Sequence, residues 1–274
     1  VKAHIKQGWH LAIKHFYIII MLFLYELIWG FFLYRTIEGI VVPILKRFPD
    51  TYSSGTGSHA VQLFMTEAQF QLLKTDLIQP YAWLFCGLLA GRMVITPFLN
   101  AGLFHSLHHM TDEAGTKFIS GIRKVWKPIA LLYLIETALT LLPAIWLLPR
   151  ALTKLLDSNS LLEFAQHAGP WAAAWLAWAV LIHLLFLTMQ FGAASGAGSL
   201  RSLWGGILNF LPFAGISLLM WGIGALLSMT VASVSMMWAG LFALILHQGY
   251  QMMRTIMKVW TVAAQYDVWQ SKQA

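Results

Sequence analysis

Long apolar runs, interrupted by short polar stretches, make up most of the 274 residues. A helix needs about 20 apolar residues to cross roughly 30 Å of hydrocarbon. Six such runs are predicted, near Leu11–Tyr34, Tyr81–Phe104, Pro128–Leu148, Trp171–Phe191, Gly206–Leu227 and Val231–Tyr250. The first is too long for the apolar stretch of a cleaved signal peptide, and no small-x-small site follows it, so it reads as a retained span. Between the last two runs only Gly222-Ile-Gly224 and Ser228-Met-Thr230 break the pattern, which predicts a very tight turn or a short re-entrant segment. The expected fold class is all-α, a polytopic membrane helix bundle in which residues 1–274 form a single transmembrane domain.

The stretches between the runs differ in kind. In the longest, 35–79, the residues Val61, Leu63, Phe64, Ala68, Leu72 and Leu73 recur at near-helical spacing between polar positions. This predicts an amphipathic helix on the outer face, a lid or an anchor, within 59–78. A milder version follows the third run at Ala151–Phe164. On the other side, Gly115–Lys127 and Met252–Trp269 read as short basic interfacial helices. Three runs open with a cation, two spacers and a tryptophan: Lys6 and Trp9, Arg123 and Trp126, Arg201 and Trp204. Such pairs are membrane anchors, the cation facing phosphate and the indole lying in the headgroup layer. Their recurrence suggests three hairpin repeats, although positive-inside bias and the aromatic belt would place both residue types there without duplication.

Composition agrees with burial in lipid. The chain is 58% hydrophobic and 11% charged, against about 25% charged in a soluble domain. Its net charge of +7 does not point to nucleic acid, because the cations are segregated. One side holds eleven (Lys2, Lys6, Lys14, Lys117, Arg123, Lys124, Lys127, Arg201, Arg254, Lys258 and Lys272) against Asp112, Glu113 and Asp267. The other holds six, matched by six acids. The positive-inside rule then puts both termini in the cytoplasm and the chain in the cytoplasmic membrane, the bacterial inner membrane. The lone Cys86 excludes an internal disulfide framework.

Candidate chemistry is sparse. Glu26, Arg92 and Glu136 are charges inside spans, where each is unfavourable by a few kcal/mol unless paired. Arg92 falls near the midplane and between the two acids in depth, so its guanidinium could bridge to either. Such a cluster fixes packing or carries a proton- or substrate-coupled pathway. His105, His108, His109 and His247 lie near the inner face and His183 lies deeper. Imidazoles at matched depth are ligands for a metal or haem, or plain headgroup contacts. Gly87 and Gly91, like Gly192 and Gly196, form small-xxx-small faces for close helix packing, with the same chain or a second copy. No nucleophile–histidine pair, carboxylate dyad or phosphate loop survives inspection, so no catalytic residue and no cofactor is assigned.

The layout resembles poorly characterised bacterial six-span proteins similar to the membrane domain of some glycerophosphodiester phosphodiesterases. The residues carrying it are Gln7-Gly8-Trp9-His10-Leu11, Asn100-Ala-Gly-Leu-Phe104 and Lys117-Phe-Ile-Ser-Gly-Ile-Arg-Lys-Val-Trp126. The resemblance implies a fold and little chemistry, and the soluble phosphodiesterase domain has no counterpart among these residues. The expectation is a non-enzymatic membrane helper or assembly subunit, with lipid, a membrane-protein partner or a second copy around it. The alternatives are a small transporter or channel with a pathway past Glu26, Arg92 and Glu136, and a haem- or metal-binding membrane protein.

Overall fold

The computed structural model describes residues 2–45, 79–109, 114–157, 161–237 and 241–273. In chain order the helices are α1 Lys2–Lys14, α2 Phe16–Leu45, α3 Gln79–His108, α4 Ala114–Asp157, α5 Leu161–Ser195, α6 Ser199–Leu208, α7 Phe210–Met237 and α8 Leu241–Gln273. There is no strand among the described residues. Among the described residues, five stretches are long and apolar enough to cross a membrane, as in a multi-pass membrane protein: Phe16–Gly39, Gln79–His108, Lys117–Ala151, Leu162–Ser195 and Phe210–Met237. The expected amphipathic segment 59–78 lies outside the described residues.

The boundaries that differ have local causes. The run expected at Leu11–Tyr34 is broken at His15. The His15 amide is shared between the Leu11 and Ala12 carbonyls at 3.3 and 3.2 Å, and the Ile18 amide turns back to the His15 carbonyl at 2.9 Å. Ser228-Met-Thr230 is not a turn. Thr230 and Ser233 donate their hydroxyls to the carbonyls of Leu226 and Met229, four residues back, each at 2.9 Å. That back-bonding lets hydroxyls ride inside an apolar helix. The stretch Val231–Tyr250 is therefore not one element: 231–237 close α7, 238–240 lie outside the described residues, and 241–250 open α8.

The two inner segments expected as interfacial helices are parts of longer ones. Gly115–Lys127 is the start of α4, whose 44 residues extend about 66 Å at 1.5 Å per residue. Met252–Trp269 belongs to α8 and turns one face into the protein, with Val259, Ala263, Ala264 and Tyr266 fully covered while Arg254 and Lys258 stay exposed. On the outer side, 151–157 close α4 and 161–164 open α5.

This half of α8 is the post around which the core is built. It packs with Leu11 and Ala12 of α1, Ile18 and Leu22 of α2, Phe104 and Leu107 of α3, Phe118 of α4, Phe191 of α5, and Phe213 and Ile216 of α7. A chain of aromatic rings ties α3, α5 and α8 together. Phe104 meets Phe191 edge-on at 5.1 Å and Phe191 meets Tyr266 edge-on at 5.3 Å, the arrangement that aromatic quadrupoles favour. Contacts are close enough to exclude side chains: a Cβ on Gly121 would lie 2.5 Å from the His105 Cβ, and one on Gly102 would lie 2.5 Å from the Phe118 ring. Far from this core, the spans present large apolar residues outward, among them Phe31, Trp83 and Ile145, the last 78% exposed.

The anchors frame the core end. Lys6, Arg123 and Arg201 are exposed. Trp204 is also exposed, whereas Trp9 leans on Trp260 at 4.7 Å and Trp126 stacks on Phe98 at 5.1 Å. A short helix, a break and a long helix recur at α1–α2 and α6–α7, while α4 runs through its anchor unbroken. Gly192 packs against Ser202 of α6. Gly196 does not: at φ 79° it turns the chain out of α5, and a Cβ there would meet nothing.

Candidate functional site

Helices α4 and α5 run antiparallel and are stitched by hydrogen bonds that begin with a proline. Pro143 has no amide hydrogen to offer the carbonyl of Leu139, four residues before it. The Trp178 indole donates to that carbonyl at 3.1 Å, and the Trp175 indole donates to the Thr140 carbonyl at 2.8 Å. Trp171 meets Trp146 edge-on at 5.6 Å in the same register. In lipid a freed carbonyl must find a protein donor, so Pro143 of α4 and the tryptophans of α5 belong together.

This register brings Glu136 against α5. One carboxylate oxygen lies 2.7 Å from His183 Nδ1, and the other accepts from Gln190 Nε2 at 2.8 Å. Glu136 is buried, 8% exposed, while the His183 side chain is 61% exposed. With Nδ1 turned to the acid, the opposite nitrogen of His183 points away from it. Hydrogen bonds to a charged group contribute about 1.5–3 kcal/mol each, enough to offset the few kcal/mol that a spanning carboxylate costs. Chemically the group is a carboxylate hydrogen-bonded by an imidazole and an amide.

The other two spanning charges do not join it. Glu26 receives Lys258 Nζ at 2.9 Å and the Thr255 hydroxyl at 3.0 Å, pinning α2 to α8. Arg92 bridges neither acid. Its guanidinium stands 5.8 Å from the Trp29 ring centre, and it is exposed. For an exposed arginine at this distance a cation–π contact supplies about 0.5–1 kcal/mol, less than the roughly 2.5–3.5 kcal/mol that an arginine costs at a helix centre. The expected cluster of Glu26, Arg92 and Glu136 is thus three separate sites, because each acid has a nearer polar partner on another helix.

The inner histidines are partly brought together. His105 and His109 lie with ring centres 4.3 Å apart and His108 and His109 4.9 Å apart. His109 Nδ1 meets the His105 carbonyl at 3.2 Å, and His108 Nδ1 meets the Tyr266 hydroxyl at 2.7 Å. Burial pushes that hydroxyl up to about 12, so it stays a phenol and a donor. His183 is elsewhere, on Glu136, and the side chain of His247 lies outside the described residues. Among the described residues no three histidine, cysteine or acidic side chains are grouped to hold a metal ion.

Gln190, Thr255, Lys258 and Tyr266 are the site residues that sequence reasoning missed. The pairing of Glu136 with His183 had a signal: each lies eight residues from the expected inner end of its span, Pro128 and Phe191. Compared with the models of known protein families, with curated proteins and with solved structures, the chain finds no match.

Proposed function

We propose that the chain is a cytoplasmic-membrane protein of six crossings with both termini in the cytoplasm, acting as a non-enzymatic membrane helper or assembly subunit. The observation that carries this reading is the fate of the spanning charges. Both acids are closed into intramolecular pairs that tie helices together, whereas Arg92 and a broad apolar surface are left to the surroundings. An even number of crossings is supported by the ends of the chain, since α1 lies along the carboxyl-terminal half of α8.

A second reading, a small transporter or channel, has one observation in its favour: the exposed His183 imidazole beside a buried carboxylate, since ionisable groups inside spans mark proton and ion routes. Proteoliposomes separate the two. The subunit reading expects no proton flux above protein-free vesicles under a pH gradient, with reporters at both termini on the cytoplasmic side in cells. A saturable flux, or termini on opposite sides, overturns it.

A further inference from the structure

Helix α1 meets its surroundings with cations. Its inner face, Gly8, Leu11 and Ala12, is buried, and Gly8 lies on Ala264 of α8. Trp9 is turned inward as well, onto Trp260. The outer face carries Lys2, Lys6, His10 and Lys14 at every fourth position, all exposed, which sets them along one side of the helix. No acid stands among the 13 residues of α1. Asp267 of α8 is bonded to His4, and among the described residues Lys2 and Lys6 have no hydrogen-bond or ion-pair partner. Two residues beyond Lys14, the first apolar stretch opens at Phe16. Ile13, seven residues after Lys6 and so on the same face, is exposed, and so is Phe16. Cations and apolar groups therefore stand side by side on one surface.

We infer that this stripe of α1 docks the anionic phospholipid headgroups of the leaflet that the span Phe16–Gly39 enters. The mixture of groups selects the occupant. Lysines on a helix adjoining an apolar span gather anionic lipid, by about fivefold for each cation near the surface. Their methylene stems, with Ile13 and Phe16, rest at the boundary of the acyl chains. An acidic protein or a nucleic acid would pair the lysines and leave Ile13 and Phe16 in water. The stripe is also held before lipid arrives, because Gly8 is seated on Ala264 and the Trp260 indole donates to the Ile5 carbonyl at 2.8 Å. Binding then orders only side chains, not a free tail. This goes beyond a lysine–tryptophan anchor, since Trp9 takes no part, and it rests on the membrane reading above.

The test puts a fluorophore on the exposed position 7, through Gln7→Cys with Cys86→Ser, of the full chain in phosphatidylcholine vesicles. The vesicles carry a small share of spin-labelled phosphatidylglycerol, or of phosphatidylcholine with the same label, and quenching reports which lipid gathers at α1. The anionic lipid is expected to gather about tenfold over phosphatidylcholine. Lys2→Gln with Lys6→Gln cuts that preference severalfold at unchanged melting temperature, whereas the matched pair Arg123→Gln with Arg201→Gln leaves it in place. Equal quenching by the two lipids overturns the inference. So does an equal loss in the two double variants, which makes the attraction a property of every cation on that side. Displacement of the labelled lipid by polyglutamate or a DNA duplex at physiological salt also overturns it, the occupant then being an acidic macromolecule. No quenching by either lipid overturns the membrane reading itself.

Discussion

His4 Nδ1 lies 2.7 Å from Asp267 Oδ2, joining the two ends of the chain across 263 residues. The pair closes a clasp. One turn on, Gly8 lies against Ala264, and the Trp260 indole donates to the Ile5 carbonyl at 2.8 Å. Since α8 carries the centre of the core, α1 acts as a strap that holds it in place.

The clasp tolerates no side chain at Gly8, where a Cβ would sit 2.6 Å from the Ala264 backbone nitrogen. Overpacking of this kind costs about 1–3 kcal/mol. Gly8→Val should lower the melting temperature in detergent, and Gly87→Val, in open space, should leave it nearly unchanged. Equal effects of the two changes would argue against the clasp.

Glu136 predicts a graded series. Glu136→Leu strands the buried amide of Gln190, 2% exposed, at a cost of about 1–3 kcal/mol. Adding Gln190→Leu should recover part of that loss, since removing both partners is milder than removing one. Thermal melting of the two single variants and the double variant measures the coupling, and strict additivity would contradict the hydrogen bond.

Trp178→Phe keeps the ring and removes the donor to the Leu139 carbonyl. Polar contacts between spanning helices average about 0.6 kcal/mol and reach about 1.7, so a loss in that range is expected. Pro143→Ala in the same background should restore stability by giving Leu139 a backbone donor again. No rescue would show that the indole matters for packing alone.

His15 makes stability depend on pH. It is 1% exposed with no partner for either ring nitrogen. Burial, with Lys14 adding to it, holds its pKa below 6.5. The unfolded imidazole takes up a proton near pH 6.5 while the folded one does not, so the unfolded state binds more protons below that pH. Stability contributed by His15 is complete above about pH 6.5 and is lost as the pH falls toward the folded pKa. His15→Phe should flatten the dependence of melting temperature on pH below about pH 6.5 relative to wild type. An unchanged slope would place the sensitivity on other groups.

The first four spans were legible because a crossing helix needs only length and apolarity, and those are local. The break at His15 was not, since it comes from α1 turning to lie on α8, a contact between the two ends of the chain. Residues 228–230 misled for a related reason: hydroxyls mark turns in water but back-bond inside an apolar helix, as Thr230 and Ser233 do. Lys258 reads only as an inner-face cation of an interfacial helix until the fold brings Glu26 to it and to Thr255. Arg92 was found by charge alone, but its lack of a partner could be seen only once both acids had been traced to theirs.

In the subunit reading the buried Glu136 keeps helices together and does not move protons. The direct measurement is Glu136→Gln in proteoliposomes, with melting temperature and pH-driven proton flux read on the same preparation. The account predicts a lowered melting temperature and background flux in wild type and variant alike. A wild-type flux that disappears in Glu136→Gln while the melting temperature stays the same would contradict it.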